Sequence, residues 1–211
     1  MNKNSVQQPG TAIMRRLGRR FVKDRSGATA VEFGFVMIPF FALLFSIFEN
    51  AFLLMNDNGL EQAVATASRQ VLLGNVQSNA AITTADQFRD QVICNPPGGR
   101  VLPSYIDCTK LVVNMQALPA GQSFAGVDPT ANFYSGSAKF CSGGPAYIVM
   151  VNVMYPMPSY FPILNGNWNV NGGVSTTGLT TYNGKLSHII VATSVFQNEP
   201  FAGWSGPRPG C

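Results

Sequence analysis

Arg25-Ser26-Gly27-Ala28-Thr29-Ala30-Val31-Glu32-Phe33 joins a basic, polar leader to a long apolar run that is broken near its start by one carboxylate. From Phe33 to Met55 the residues are bilayer material. An acid inside such a segment is disfavoured by a few kcal/mol even on the mild insertion scales. Glu32 is therefore the first candidate for a functional residue, since an intramembrane acid is retained only where it has something to do.

Charge is placed unevenly around this junction. Through Gly27, seven basic residues (Lys3, Arg15, Arg16, Arg19, Arg20, Lys23 and Arg25) stand against Asp24 alone, a balance of +6, whereas the rest of the chain balances to −2. The sequence pI of about 9.0 thus belongs to the leader. A nucleic-acid partner is not indicated, because a basic face has to lie on the folded domain to track phosphates. Basic residues just before an apolar run keep a leader cytoplasmic and send the following part across the membrane. Cys94, Cys108, Cys141 and Cys211 then all fall on the exported side, where an even number suggests two disulfides. Metal binding needs close pairs such as C-x-x-C, and the chain has none.

Three segments follow: a leader over 1–27, a membrane and stalk helix over 28–73, and an extracytoplasmic domain over 74–211. Roughly 20 helical residues at ~1.5 Å each cover the ~30 Å hydrocarbon core. Pro39 lies inside the run, where it removes one backbone hydrogen bond and favours a kink. Beyond the span, Leu60, Val64, Ala67 and Val71 form one apolar stripe with Glu61, Gln62 and Arg69 outside it, so the helix continues to about Leu73. Asn56-Asp57-Asn58-Gly59 is a potential break. Glu49, ~26 Å beyond Glu32 on a straight helix, is expected at the outer membrane interface.

A second helix is predicted at Thr84, where Thr84 and Gln87 fit a capping box and Phe88 and Val92 supply an apolar edge; Asn95-Pro96-Pro97-Gly98-Gly99 stops it. Strands are expected at Lys110–Leu118, Ala146–Tyr155 and Leu186–Phe196. The long stretches Pro119–Pro145 and Pro156–Lys185 read as loops with room for short unseen strands. The fold class is α+β: a long N-terminal transmembrane helix entering a small antiparallel sheet domain with long loops and disulfides.

Catalytic material is sparse. His188 is the only histidine, within Leu186-Ser187-His188-Ile189-Ile190-Val191, and no nucleophile elbow, phosphate loop or metal cluster accompanies it. Neither a cofactor nor a small-molecule substrate is indicated. A periplasmic enzyme built on His188 remains the weakest alternative.

A secretory signal has its small-residue cleavage site after the apolar part, whereas here Gly27 precedes it. A cut after Gly27 makes Ala28 the first residue and Glu32 the fifth, which resembles type IV prepilins. More narrowly, Gly27-Ala28-Thr29-Ala30-Val31-Glu32-Phe33, Pro39, Ile47-Phe48-Glu49, Ala63, Ala67 and Arg69 resemble the TadE-like family, minor pseudopilins of the tight-adherence (Tad/Flp) pilus. Ile148–Pro156 and Phe196-Gln197-Asn198-Glu199-Pro200-Phe201 resemble later segments of such proteins.

The resemblance implies a pilin-like fold, cleavage by a prepilin peptidase between Gly27 and Ala28, and assembly through Glu32, Phe33 and Pro39. It implies a single-pass inner-membrane protein whose partners are lipid, other pilins and pseudopilins, and an inner-membrane assembly platform. In such a scheme the new amino group of Ala28 pairs with Glu32 of a neighbouring subunit; the competing placement leaves Glu32 solvated at the cytoplasmic headgroups. Within this reading the preferred bridges are Cys94–Cys108, which closes a short Pro/Gly loop, and Cys141–Cys211, although four cysteines allow three connectivities. The alternative of another class is an uncleaved signal-anchor protein whose disulfide-bonded outer domain serves in ligand binding or adhesion through loops carrying Phe133, Tyr134, Trp168 and Tyr182.

Overall fold

The computed structural model describes residues 28–125, 139–160, 179–202, 204 and 206. The chain divides into two compact units, residues 1–47 and 48–211. In the first, the described residues belong to helix α1 (Ala28–Leu72). Phe33, Phe35, Val36, Ile38, Phe40 and Leu43 are all exposed. A helix apolar on every side has no polar face to give to water, which is the pattern of a segment surrounded by lipid or by other apolar helices. Its mean hydropathy reaches 2.2 over a window of which none is buried, so among the described residues this is the one helix long and apolar enough to cross a membrane. Pro39 lies inside it.

In the second unit α1 changes character. Leu60, Ala63, Val64, Ala67 and Val71 are buried, while Glu61, Gln62 and Arg69 are exposed, as the apolar spacing requires. No turn interrupts the helix at Asn56–Gly59. The Asn58 amide donates to the Leu54 carbonyl at 2.9 Å. At Gly59 an added Cβ would stand 3.2 Å from Pro103 Cδ, so that glycine serves a close approach instead of a bend. The helix ends at Gly74, whose φ of 78° is the left-handed closing residue and whose N–H donates to Val71 O at 3.0 Å.

Helix α2 (Asn75–Ser78) and helix α3 (Ala85–Phe88) follow, and α3 runs into a π turn over Arg89–Cys94. The capping box is formed: Thr84 Oγ1 accepts from Gln87 N, and Gln87 Oε1 accepts from Thr84 N. Phe88 and Val92 are buried beneath it. Cys94 is bonded to Cys108 across a sequence separation of 14. The expected partner pair Cys141–Cys211 includes Cys211, which lies outside the described residues.

Four strands, β1 (Val112–Leu118), β2 (Ile148–Pro158), β3 (Leu179–Tyr182) and β4 (Lys185–Gln197), form one antiparallel sheet in the order β1-β2-β4-β3. Three match the expected strands. The fourth, β3, lies in the stretch expected to be a loop, and Asn183-Gly184, with φ of 48° and 75°, turns it into β4. Asn-Gly between strand residues is the hairpin signal that this region carries. β2 also runs past Tyr155 through Pro156 and Pro158. Its pairing with β1 stops at Val112↔Met154, so beyond that point one edge of β2 needs no ladder donor and proline is tolerated.

Val113, Met115, Val149, Val151, Val153, Tyr155, Met157, Ile190 and Ala192 share one buried cluster with the α1 stripe and with Phe88, Val92 and Ile93. The opposite side of the central strands carries a polar row, Asn114↔Asn152↔Thr193, in which Thr193 Oγ1 donates to Asn152 Oδ1 at 2.7 Å.

Candidate functional site: the N-terminal helix and its polar anchor

Glu32, Phe33 and Pro39 all lie on the exposed part of α1, and among the described residues Glu32 makes no ion pair. Ala28 is the first described residue and is helical; Gly27 lies outside the described residues. The structure therefore presents Glu32 and its apolar neighbours as an uncovered helical surface.

Glu49 has protein partners that its place in the sequence did not show. It is buried, at 6% exposure, inside the second unit. Ser159 donates its hydroxyl to Glu49 Oε1 at 2.6 Å, and Tyr160 donates its backbone N–H to the same oxygen at 3.2 Å. His188 Nε2 stands 3.7 Å away. Seven residues on, Asn56 is also buried and donates to Met157 Sδ at 3.2 Å. Because Met157 and His188 are cross-strand partners, Glu49 and Asn56 fasten α1 to the same end of the β2–β4 pair.

Glu49, Leu53, Asn56, Leu60, Ala63, Ala67 and Val71 continue one helical face, so the packed stripe begins eleven residues before Leu60. Two of the added positions are polar, and a search for apolar periodicity passes over them. Stepping backward from Leu60 by four and three is the signal that finds them.

Burial of the imidazole lowers the pKa of His188 from its ordinary 6.5, and the neighbouring Glu49 carboxylate opposes that shift. Neutral His188 beside a carboxylate already taken by a hydroxyl and an N–H is a packed polar anchor: the Ser159 hydrogen goes to the acid itself. Among the described residues no group of three or more His, Cys, Asp or Glu side chains is placed to hold a metal ion.

A second fastening lies at the other end of the helix. Asn198 donates to the carbonyls of Ser142 and Gly144, both at 3.0 Å, and Gln77 donates to Ser142 O at 2.9 Å. Glu199 N–H donates to Leu72 O at 3.0 Å, and the Phe201 ring lies against Gly74. The Phe196–Phe201 segment thus closes the C-terminal end of α1. Of the aromatic residues suggested for an adhesive loop, Phe133, Tyr134 and Trp168 lie outside the described residues, and Tyr182 is half-buried at the end of β3.

An uncovered apolar N-terminal helix that passes into a small antiparallel α+β domain defines a class of proteins whose one such helix is long and apolar enough to cross a membrane. Within that class, residues 27–69 match the family described as TadE-like protein, which points to a Tad pilus-associated protein. No curated protein and no solved structure matches the chain.

Proposed function

We propose that this chain is a minor pseudopilin of a tight-adherence type IV pilus system, cut by a prepilin peptidase between Gly27 and Ala28 and assembled through its N-terminal helix. The observation that carries this reading is that the TadE-like match over residues 27–69 falls on a helix whose apolar side chains, from Phe33 to Leu43, are left uncovered. Such a helix needs either lipid or other apolar helices around it.

In this scheme the basic leader stays in the cytoplasm, α1 crosses the inner membrane once, and the sheet domain with its Cys94–Cys108 bridge lies outside the cytoplasm. The Ala28 amino group freed by cleavage pairs with Glu32 of an adjacent subunit within an apolar bundle, where an acid without a partner would be costly. Its partners are the other pilins and pseudopilins, the peptidase and the assembly platform of the membrane.

The test is the mature N-terminus. Co-expression with a prepilin peptidase should yield a chain whose first residue by mass spectrometry is Ala28. Retention of Met1, or a cut beyond Met55, would refute the proposal.

A further inference from the structure

The second unit opens with a group of large side chains left outside its core. Phe48, Phe52 and Met55 recur at helical spacings of four and three on α1, and all are exposed. Beside them stand Tyr105 at 51% exposure and Tyr160 at 67%. The rings of Phe52 and Tyr105 meet edge to face at 6.5 Å.

The segments bearing the two tyrosines are tied to the folded unit. Tyr160 is tethered through its N–H to the buried Glu49. The segment bearing Tyr105 is tied by Arg100, whose guanidinium donates to the carbonyls of Leu102, Pro103 and Ile106 at 3.1, 3.2 and 2.6 Å. Pro103 also rests against Gly59 of α1. A soluble surface gains nothing from ordering five large apolar or aromatic side chains in contact with water, so something covers them.

We propose that Phe48, Phe52, Met55, Tyr105 and Tyr160 form a collar that seats the folded domain in the headgroup layer of the membrane crossed by the preceding residues, a lipid surface being its partner. This rests on the membrane-spanning reading of α1. Two observations select lipid. The collar begins at the residue where the uncovered apolar run, about 20 residues long and so about one hydrocarbon thickness, gives way to the packed domain. Its tyrosines carry an apolar ring with a polar tip, the chemistry enriched where bilayer meets water.

Nearby charge does not replace this with electrostatic attraction. Asp107 and Lys110, on the same segment as Tyr105, pair with one another at 3.5 Å, and Arg100 is occupied with backbone carbonyls. Attachment of the collar should accordingly be insensitive to salt and to anionic lipid, unlike a polybasic surface.

The test uses the full chain reconstituted in phosphatidylcholine vesicles whose acyl chains are brominated either near the headgroup or near the chain end. Y105W and Y160W each add one fluorophore to the parent, which carries Trp168 and Trp204; F40W, within the apolar run, is the reference. The expected result is a loss of the added emission in Y105W and Y160W that is larger with shallow than with deep bromine and unchanged by salt, while F40W is quenched most by deep bromine. No quenching in Y105W and Y160W with F40W still quenched overturns the collar, and a blue-shifted emission in that case assigns the surface to a second copy or another protein. If F40W too is unquenched, the membrane-spanning reading fails and the collar falls with it.

Discussion

The hydroxyl of Ser159 donates to the carboxylate of Glu49 at 2.6 Å across 110 residues of chain. This contact joins the start of the packed half of α1 to the end of β2, and the Tyr160 N–H shares the same oxygen. It converts an acid near an apolar span into a fastening of the folded domain.

Glu49→Ala removes the acceptor shared by the Ser159 hydroxyl and the Tyr160 N–H, two partly buried hydrogen bonds to a charged group, which contribute up to about 1.5–3 kcal/mol each. Glu49→Gln keeps an acceptor oxygen and should lose less. Urea unfolding of the detergent-solubilised chain, followed by tryptophan emission, should rank the midpoints wild type, then Glu49→Gln, then Glu49→Ala; equal midpoints for wild type and Glu49→Ala would remove the anchor from the stability of the domain.

The buried imidazole of His188 has its pKa lowered from 6.5 by desolvation, with Glu49 opposing. The unfolded chain therefore takes up a proton at a higher pH than the folded one. Stability from neutral His188 is fully present above about pH 6.5 and is lost as pH falls from there through the lower folded value. Unfolding midpoints measured between about pH 7.5 and 5 should fall more steeply for the wild type than for His188→Gln. Parallel pH profiles would contradict the assignment.

The Cys94–Cys108 bridge closes a loop of sequence separation 14 that joins the end of the π turn to the approach of β1. A loop of this length contributes about 3 kcal/mol in the chain-entropy description. Cys94→Ser with Cys108→Ser should lower the unfolding free energy by about that amount and release Pro96–Gly99 to limited proteolysis. Unchanged unfolding in the double variant would count against this role.

At Gly74 a Cβ would lie 2.4 Å from Phe201 Cγ, and φ is +78°. Gly74→Ala therefore adds a steric clash to about 1–2 kcal/mol of left-handed backbone strain. Adding Phe201→Ala should recover the clash but not the strain, so a double-mutant cycle should show favourable coupling between the two sites. Additive losses would separate Phe201 from the helix end.

Glu32→Ala tests the proposed helix pairing apart from folding. Glu32 is exposed on α1 and belongs to no buried cluster, so unfolding of the sheet domain should not change. Assembly should fail, because the amino group of a neighbouring Ala28 would be left unpaired in an apolar bundle at a cost of about 3–5 kcal/mol. Normal pilus assembly by Glu32→Ala would sink the pairing.

Local chemistry made much of the fold legible. The Thr84–Gln87 capping box is visible because a cap is a short-range hydrogen-bond pattern, and the Leu60–Val71 stripe is visible because apolar side chains repeat at the helical period. β3 was obscured by its length of four residues, although Asn183-Gly184 marks its turn. Asn56–Gly59 misleads for the converse reason: its turn-forming residues are enlisted by distant partners, Met157 and Pro103.

By itself the sequence determined the class of this protein: an apolar run of membrane length behind a basic leader, a glycine before it and an acid five residues on, then a sheet domain. Those features depend on composition and on neighbours within a few residues. Only the tertiary structure decided what Glu49 does. Whether a carboxylate meets water or the hydroxyl and N–H of its own chain depends on which distant backbone folds over it, and Ser159, Tyr160 and His188 are brought there by segments more than a hundred residues away.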